Sequence, residues 1–432
     1  MWKPTAKLTC EPHSDVRCYA AMNDVDRILN WLILRTTPGM TRPRLYNLMQ
    51  LFDKPEDVFG ASAGAISAVR GFDRELARAL LARESADVAR RQYDALLTMG
   101  ARVLTRHDTD YPQNLRESAL EPPLLFVLGT LASEDRYSVA MVGSRHATQY
   151  GRAVAGELAA GLARSGITVV SGFARGVDGE AHHAALKAGG RTIAVLGNGL
   201  DVCYPSEHLA LGERIAEGGA LVTEYPLGTS PDRYNFPERN HVIAALSLGT
   251  VVVEAAEKSG SLITARLALD ENRFIFAVPG DVTRNNSRGA NALIQQGARL
   301  VQRSRDVLVE MRHVLRGYLD EDLLTEEDEP AATPAPKRSA RSRTADAGNE
   351  PVSADDAPAP VKAPPPKTKA PLTAEETIIV GLLRHEAMVF DELAAHCFGE
   401  GIDVPRLTSL LMKLELRQVI RQLPGRYYVL FT

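Results

Sequence analysis

The chain has 432 residues, of which 45% are hydrophobic and 24% charged, and its formal net charge is -4. This composition is typical of a globular protein with roughly two to four domains, and it excludes a uniformly basic nucleic-acid coat, so any site for a polyanion must be local. The cysteines are too scattered for a disulfide scaffold or a zinc site, and apolar runs of about 18 residues are absent. We therefore expect a cytoplasmic protein with no membrane contact, metal or cofactor.

The first predicted domain is a small helical module over residues 24–100, which follows an irregular tail over residues 1–23. Apolar residues recur at helical spacing in four segments, residues 24–35, 44–52, 65–69 and 74–82. Gly39 and Gly71 lie in the turns of two helix pairs. Such helix-hairpin-helix or SAM-like modules either hold a nucleic-acid backbone on their turn N–H groups or pack against other proteins or domains, and both alternatives stay open.

Residues 101–318 are predicted to form the largest domain, because short apolar segments alternate there with amphipathic ones. The predicted strands are residues 138–142, 167–171, 192–196, 221–224, 250–254 and 274–278. Continuously apolar strands separated by helices are typical of a parallel sheet that is covered on both faces. The pattern predicts an α/β fold, an extended Rossmann-like doubly wound sheet.

The C-terminal part is predicted to be a winged helix at the end of a disordered linker. Residues 319–371 are rich in Pro, Ala and charged residues, which is typical of disorder. In residues 372–432, three helices (374–384, 390–396 and 404–416) precede two strands (418–423 and 426–430). The third helix and the hairpin carry Arg406, Lys413, Arg417, Arg421 and Arg426. Winged helices bind duplex DNA or act as protein adaptors, and both possibilities stay open.

The candidate binding site lies where the parallel strands end, since ligands of open α/β sheets bind at the carboxyl ends of strands. Gly143-Ser144-Arg145 ends the first strand before a helix, and such a turn favours a phosphate. The candidate residues at all strand ends are Gly143, Ser144, Arg145, Gly172, Arg175, Arg233, Phe236, Arg239, Asn240, Ser259, Gly260, Ser261 and Thr264. Phosphate contacts beside an aromatic ring are typical of a single-stranded nucleic-acid site. Phe236 could alternatively be a core residue beneath a loop.

The same strand ends argue against a nucleotide enzyme. No Gly-x-Gly-x-x-Gly follows the first strand, and the chain has no Gly-x-x-x-x-Gly-Lys-Ser/Thr string. We expect His182 to be a structural residue that is hydrogen-bonded to Asp178, which is placed to cap the same helix. Cys203 is interpreted as a half-buried structural cysteine. No catalytic residue is therefore predicted.

Six segments of the central domain resemble the DNA-processing protein A (DprA/Smf) family of bacteria. They are residues 142–145, 171–178, 194–201 with Tyr204-Pro205, 236–240, 259–265 and 278–280. The resemblance implies that Arg145, with Gly143 and Ser144, holds a backbone phosphate, that Arg233 is a basic DNA contact and that Phe236 stacks on a base. It also implies a protein that is not an enzyme, dimerises, protects incoming single-stranded DNA and loads the RecA recombinase in natural transformation.

One departure from the family pattern and two rival functions are kept open. The family commonly continues Arg-Asn-Arg where this chain has Arg239-Asn240-His241, so one charge in the site could depend on pH. One rival is a nucleotide-binding Rossmann protein of the phosphoribohydrolase type, with Glu254 as its acid, although the glycine-rich string of those enzymes is absent. The other rival is a protein adaptor that acts through the winged helix.

Overall fold

The computed structural model describes residues 15–324, 373–383, 388–399, 402, 404–417, 419–423 and 427–430. Residues 325–371 of the predicted linker and residues 1–14 of the predicted tail lie outside the described residues. The chain divides into two compact units, residues 1–325 and 326–432. In the described residues, no helix is both long and apolar enough to cross a membrane.

The first helix begins earlier than predicted, and the helical module contains two helices beyond the four predicted ones. Its helices are α1 (Asp15–Thr36), α2 (Arg42–Met49), α3 (Pro55–Gly60), α4 (Ala63–Ser67), α5 (Arg74–Leu81) and α6 (Ala86–Met99). Helix α3 has Pro55 and two acidic residues, Glu56 and Asp57, in its first turn. Both features favour a helix N-terminus, which explains why this short polar sequence is helical. Because α1 starts at Asp15, residues 15–23 are helical, whereas the sequence pattern suggested an irregular tail. The predicted domain boundaries stay predictions.

The large sheet confirms the predicted doubly wound α/β fold. Its strands are β1 (Ala101–Thr105), β2 (Leu124–Gly129), β3 (Ser138–Val142), β4 (Thr168–Ser171), β5 (Thr192–Val195), β6 (Ala220–Thr223), β7 (Gly249–Val252), β8 (Phe274–Ala277) and β9 (Arg299–Leu300). They lie in the order β1-β2-β6-β5-β4-β3-β7-β8-β9. Strands β3 to β9 run parallel, while β1 and β2 add an antiparallel edge that the sequence pattern did not predict.

Helices cover both faces of the sheet. They are α7 (Gln113–Arg116), α8 (Gln149–Arg164), α9 (Val177–Lys187), α10 (Leu209–Gly218), α11 (Asn235–Leu246), α12 (Gly260–Asp270), α13 (Asn285–Gln295), α14 (Ser304–Glu310), α15 (Arg312–Leu315) and α16 (Glu321–Leu324). Val139 and Met141 of β3 pack with α8 and α9, whereas Ala140 and Val142 pack with α11 on the opposite face. This burial on both faces is why the strands are continuously apolar.

The connections place a ligand site beside β3. From β3 the chain moves through β4 and β5 to β6 on one side, and it then crosses to β7 and continues outward on the other side. The crevice at such a reversal is where open α/β sheets bind ligands. The helical module flanks this sheet and shares a hydrophobic core with it, since Trp31 and Leu34 of α1 belong to the same buried cluster as Leu196, Ile215 and Leu221.

The second unit has the predicted outline of three helices and a hairpin. Its elements are α17 (Ala374–Leu382), β10 (Met388–Val389), α18 (Phe390–Gly399), α19 (Val404–Leu416), β11 (Ile420–Leu423) and β12 (Tyr427–Leu430). Strand β10 was not predicted and pairs with β12. Three of the predicted basic residues form ion pairs inside the unit: Arg406 with Glu375, and Lys413 and Arg417 with Glu376. Arg426 lies outside the described residues.

Candidate nucleic-acid interface

A cleft of about 740 Å³ opens at the strand ends beside β3 and β7. Eleven of the thirteen candidate residues line it: Gly143, Ser144, Arg145, Arg233, Phe236, Arg239, Asn240, Ser259, Gly260, Ser261 and Thr264. Gly172 and Arg175 instead line a smaller neighbouring cleft of about 160 Å³, which shares Arg145, Phe236 and Arg239 with the first. The fold therefore brings residues from four separate strand ends together.

The turn after β3 is shaped by close backbone packing. A Cβ atom on Gly143 would lie 2.6 Å from Val177 Cγ2, and one on Gly176, whose φ is 78°, would lie 2.2 Å from the Ser144 carbonyl oxygen. Neither position has room for a side chain, so these glycines let the start of α9 pack directly against the turn. Arg145 follows the turn as an exposed residue, with its guanidinium 5.1 Å from the centroid of the Phe236 ring.

Phe236 belongs to the first turn of α11, not to a loop as expected from the sequence. Its half-buried ring rests against Gly197, where a Cβ atom would come within 2.9 Å of Phe236 Cδ1. The Tyr204 ring lies 5.7 Å away at an interplanar angle of 32°, and the Arg239 guanidinium lies 5.9 Å away. The ring is thus packed against Gly197 and, still partly exposed, contributes to the lining of the cleft.

Arg239 is buried beneath the cleft. Only 4% of it is exposed, and its Nη1 donates to the carbonyl oxygens of Gly172 and Val195. Burial lowers the pKa of Arg239 to about 10, which still leaves it cationic at neutral pH, and its charge opposes the rise that burial causes in the pKa of Asp178. We expect Arg239 to hold the strand ends and α11 together, whereas the sequence suggested a direct contact to DNA.

The remaining basic residues are exposed. Arg175 forms an ion pair with Glu207, in which Nη2 lies 3.0 Å from Oε2. Arg233 stacks on Tyr234, with its guanidinium 4.7 Å from the ring centroid. Lys258, which sequence reasoning missed, is exposed on the cleft wall beyond β7. It could have been found by including every basic residue of a strand-end loop.

Hydroxyl and amide groups close the side of the cleft at the start of α12. The Ser259 hydroxyl caps this helix by accepting from Ser261 N at 3.3 Å, and the two serine hydroxyls lie 2.7 Å apart. Asn240 Nδ2 donates to the Gly260 carbonyl oxygen at 3.4 Å. Thr264, by contrast, is 1% exposed. Exposed Gly260 and half-buried Ser259 are therefore better placed to meet a ligand than Ser261 or Thr264.

Two expectations about His182 and Asp178 are only partly met. His182 is fully buried, as expected of a structural residue, but its Nδ1 lies 2.7 Å from Thr192 Oγ1 instead of bonding to Asp178. Because the Thr192 hydroxyl donates to Val169 O, His182 Nδ1 carries the proton. Asp178 does not cap α9; its Oδ2 accepts from Ala174 N at 3.3 Å.

His241 is the predicted pH-dependent charge of the site, and the structure contradicts this role. It is 4% exposed, it does not line the cleft, and burial lowers the pKa of its imidazole. The residue is therefore neutral at neutral pH. A histidine one position after Asn240 had been expected to face the ligand, but the helical geometry of α11 turns it toward the helical module.

Glu254, the acid of the phosphoribohydrolase alternative, is buried and hydrogen-bonded to another residue. It is 4% exposed, and its carboxylate accepts from the Thr148 hydroxyl at 2.6 Å and from Thr148 N at 2.9 Å. It therefore secures the N-terminus of α8 and is not part of the cleft wall. Among the described residues, no group of three or more His, Cys, Asp or Glu could hold a metal ion.

Comparisons with known proteins match both parts of the chain. Residues 102–312 match the sequence model of DNA recombination-mediator protein A, and residues 363–426 match that of the DprA winged helix domain. Protein Smf of Synechocystis is 31% identical over 92% of this chain and 97% of its own length. Protein Smf of Escherichia coli is 42% identical over 52% of this chain, which spans 62% of that relative.

A solved structure gives the same result. The X-ray structure of DNA processing protein A from Streptococcus pneumoniae is 33% identical in sequence, with a TM-score of 0.58. The match covers 65% of this chain and 97% of that chain.

Proposed function

The chain belongs to the DNA-processing protein A (DprA/Smf) family, and on that premise we propose that its cleft binds single-stranded DNA. We propose further that the protein protects incoming DNA during natural transformation and loads the RecA recombinase onto it. The observation that carries the DNA proposal is the joint placement of the Arg145 turn, the Phe236 ring and two further exposed cations, Arg233 and Lys258, in one cleft.

The charge of the cleft favours a polyanion. Its lining includes four basic residues, Arg145, Arg233, Arg239 and Lys258, against one acid, Asp178. Since the overall charge is -4, this positive surface is local. Phosphate groups can contact the exposed cations while a base stacks on the ring, and a single strand presents its bases for stacking without the cost of opening a duplex.

We infer that the protein is not an enzyme. The cleft lining contains no histidine or cysteine, and its one carboxylate, Asp178, lies beside the Arg239 guanidinium. With Glu254 bound to Thr148, the phosphoribohydrolase alternative lacks an available acid. Incubation with nucleoside monophosphates should release no free base, and release above the rate without protein would favour the enzymatic alternative.

Stacking on Phe236 is tested by titrating the full chain with a fluorescent single-stranded oligonucleotide. Stacking contributes about 1–3 kcal/mol per base, so Phe236→Ala should weaken binding about 5- to 150-fold. Phe236→Leu keeps apolar bulk against Gly197 but loses the aromatic face, and it should weaken binding as well. Arg214→Ala, which removes an exposed arginine of α10, is the control that should bind as wild type. Wild-type affinity of both Phe236 variants would refute stacking on this ring.

The dimer and the RecA partner are proposed from family membership. We expect sedimentation to give the mass of two chains. We also expect the protein to shorten the lag before RecA filaments form on single-stranded DNA. A monomer at all concentrations, or an unchanged lag, would contradict these proposals without affecting the DNA site. A cytoplasmic location is proposed for the same reason.

A further inference from the structure

The segment 224–241, which runs from the end of β6 into α11, carries the proposed DNA contacts Arg233 and Phe236, and side chains of the helical module are hydrogen-bonded to it. Gln92 of α6 pairs with both backbone polar groups of Leu227: its Nε2 donates to the carbonyl oxygen and its Oε1 accepts from the N–H, each at 2.9 Å. Arg35 of α1 donates from Nε to the carbonyl oxygen of Glu224 at 3.1 Å. The first residues of the segment, Glu224 to Leu227, are thereby fixed to a different part of the chain.

The end of the segment is fixed by Arg42 at the start of α2. Arg42 Nε donates to Glu224 Oε2 at 3.0 Å, and Nη2 donates to His241 Nε2 at 2.6 Å. The Tyr46 hydroxyl donates to Glu224 Oε1 at 2.9 Å. Arg42 Nη2 also lies 2.8 Å from His241 Nδ1, but the Glu238 carbonyl oxygen, 2.5 Å from Nδ1, can only accept, so Nδ1 carries the proton and Nε2 is the acceptor. One guanidinium thus connects the end of β6 with α11.

Burial makes this connection depend on Arg42. Glu224 is 6% exposed and His241 4% exposed, so neither can replace a lost partner with bulk water. Removing one partner of a buried charged pair leaves the other charge uncompensated, which is far more costly than losing a surface ion pair. We expect the chain to relieve an unpaired Glu224 by moving α11, which is the helix that carries Phe236 and Arg239.

We propose that Arg42 is a positioning residue for the cleft, and that the helical module fixes the position of the segment 224–241 through its hydrogen bonds. Helix α11 lies between two attachments: its His241 side contacts Arg42, while its Phe236 and Arg239 side faces the strand ends. A shift of the helix therefore displaces the ring that we propose for stacking. The inference rests on the proposed DNA binding only for its functional consequence.

Two arginines of α2 allow a matched test. Arg42 contacts the α/β domain, whereas Arg44 Nη1 donates to Gly39 O at 2.6 Å within the helical module. In DNA-free protein, Arg42→Met should accelerate hydrogen exchange in residues 235–246, while Arg44→Met should leave exchange there unchanged. With an oligonucleotide, Arg42→Met should bind about 3- to 10-fold more weakly, and Arg44→Met should bind as wild type. This difference separates positioning from general destabilisation of the module.

A second substitution tests the mechanism. His241 Nε2 lies 3.6 Å from Glu224 Oε2, so an arginine at this position can reach the carboxylate from α11 itself. Adding His241→Arg to Arg42→Met should restore both slow exchange of α11 and DNA affinity. If Arg42→Met does not fold, Tyr46→Phe, which removes one hydrogen bond to Glu224, is measured in its place and should show the same changes at smaller amplitude.

The possible outcomes separate this inference from the proposed function. Wild-type exchange of residues 235–246 in a folded Arg42→Met protein would overturn the positioning role, and so would failure of His241→Arg to restore it. If the wild-type protein bound no oligonucleotide, the proposed function would fall, but the exchange measurements would still decide whether Arg42 holds α11.

Discussion

Replacing His182 should remove a specific part of the acid sensitivity of the protein. The imidazole is fully buried, its Nδ1 is bonded to Thr192, and its Nε2 has no hydrogen-bond partner. Burial, together with the nearby charges of His208, His183 and Arg239, lowers the pKa of His182 to about 3. In the unfolded chain the pKa returns to about 6.5. Between these values only the unfolded state binds the proton, so stability falls as the pH falls from about 6.5 toward 3.

The size of this effect follows from the two pKa values. Between pH 7.5 and pH 5.5, His182 should cost about 1.4 kcal/mol of unfolding free energy, and any native pKa below about 4.5 gives almost the same figure. The assay is urea unfolding of wild type and His182→Asn at both pH values, followed by circular dichroism. We expect the His182→Asn protein to be less stable than wild type at both pH values. Its unfolding free energy should, however, fall less than that of wild type between pH 7.5 and pH 5.5, and the difference should be about 1.4 kcal/mol. Equal losses in the two proteins would refute the proposed burial of a neutral imidazole.

Two further substitutions test the packing of the turn and the acid cluster of the winged helix. Gly143→Ala should lower the melting temperature and abolish oligonucleotide binding, since its Cβ would lie 2.6 Å from Val177 Cγ2; Gly260→Ala, with no atom within 4 Å, should melt as wild type. Equal melting temperatures of the two variants would contradict the packing of the turn. In the second unit, a backbone hydrogen bond from Thr373 and two basic side chains hold the pKa of Glu376 at about 2. The ionised Glu376 should therefore stabilise the second unit by about 1 kcal/mol above the usual pKa near 4.5, and this stabilisation should be lost as the pH falls toward 2. Hydrogen exchange of α17 measures it, and it should be absent in Glu376→Gln. An identical acid response of variant and wild type would contradict this role of Glu376.

The central strands could be predicted because both of their faces are buried. Each strand from β3 to β8 is a short apolar run, and the observed bounds differ from the predicted ones by no more than two residues at either end. The edge strands β1 and β9 carry exposed residues, and β9 has only two residues, so their patterns do not stand out from neighbouring loops. Sequence periodicity therefore identifies the parallel strands from β3 to β8 and misses the edges, but it also missed β2, whose buried apolar run is as continuous as theirs.

The candidate site was predicted as a set of strand ends, but the roles of single residues depend on helix geometry. Treating residues 233–240 as a loop made Phe236 and Arg239 look equally available to DNA. In α11, which tolerates Pro237 in its first turn, Arg239 points into the strand ends while Phe236 stays half-exposed. The partner of His241 is Arg42, 199 residues earlier, and no local pattern can predict a contact of that kind.

The central claim, that single-stranded DNA binds at the Arg145 turn, is tested most directly by the salt dependence of oligonucleotide binding. Wild-type affinity should fall steeply as salt rises, because each phosphate contact to a single strand contributes about 0.7 to the slope of log affinity against log salt. Arg145→Ala should reduce both the affinity and this slope by roughly one contact, whereas Arg214→Ala should change neither. An unchanged slope and affinity in Arg145→Ala would contradict the account.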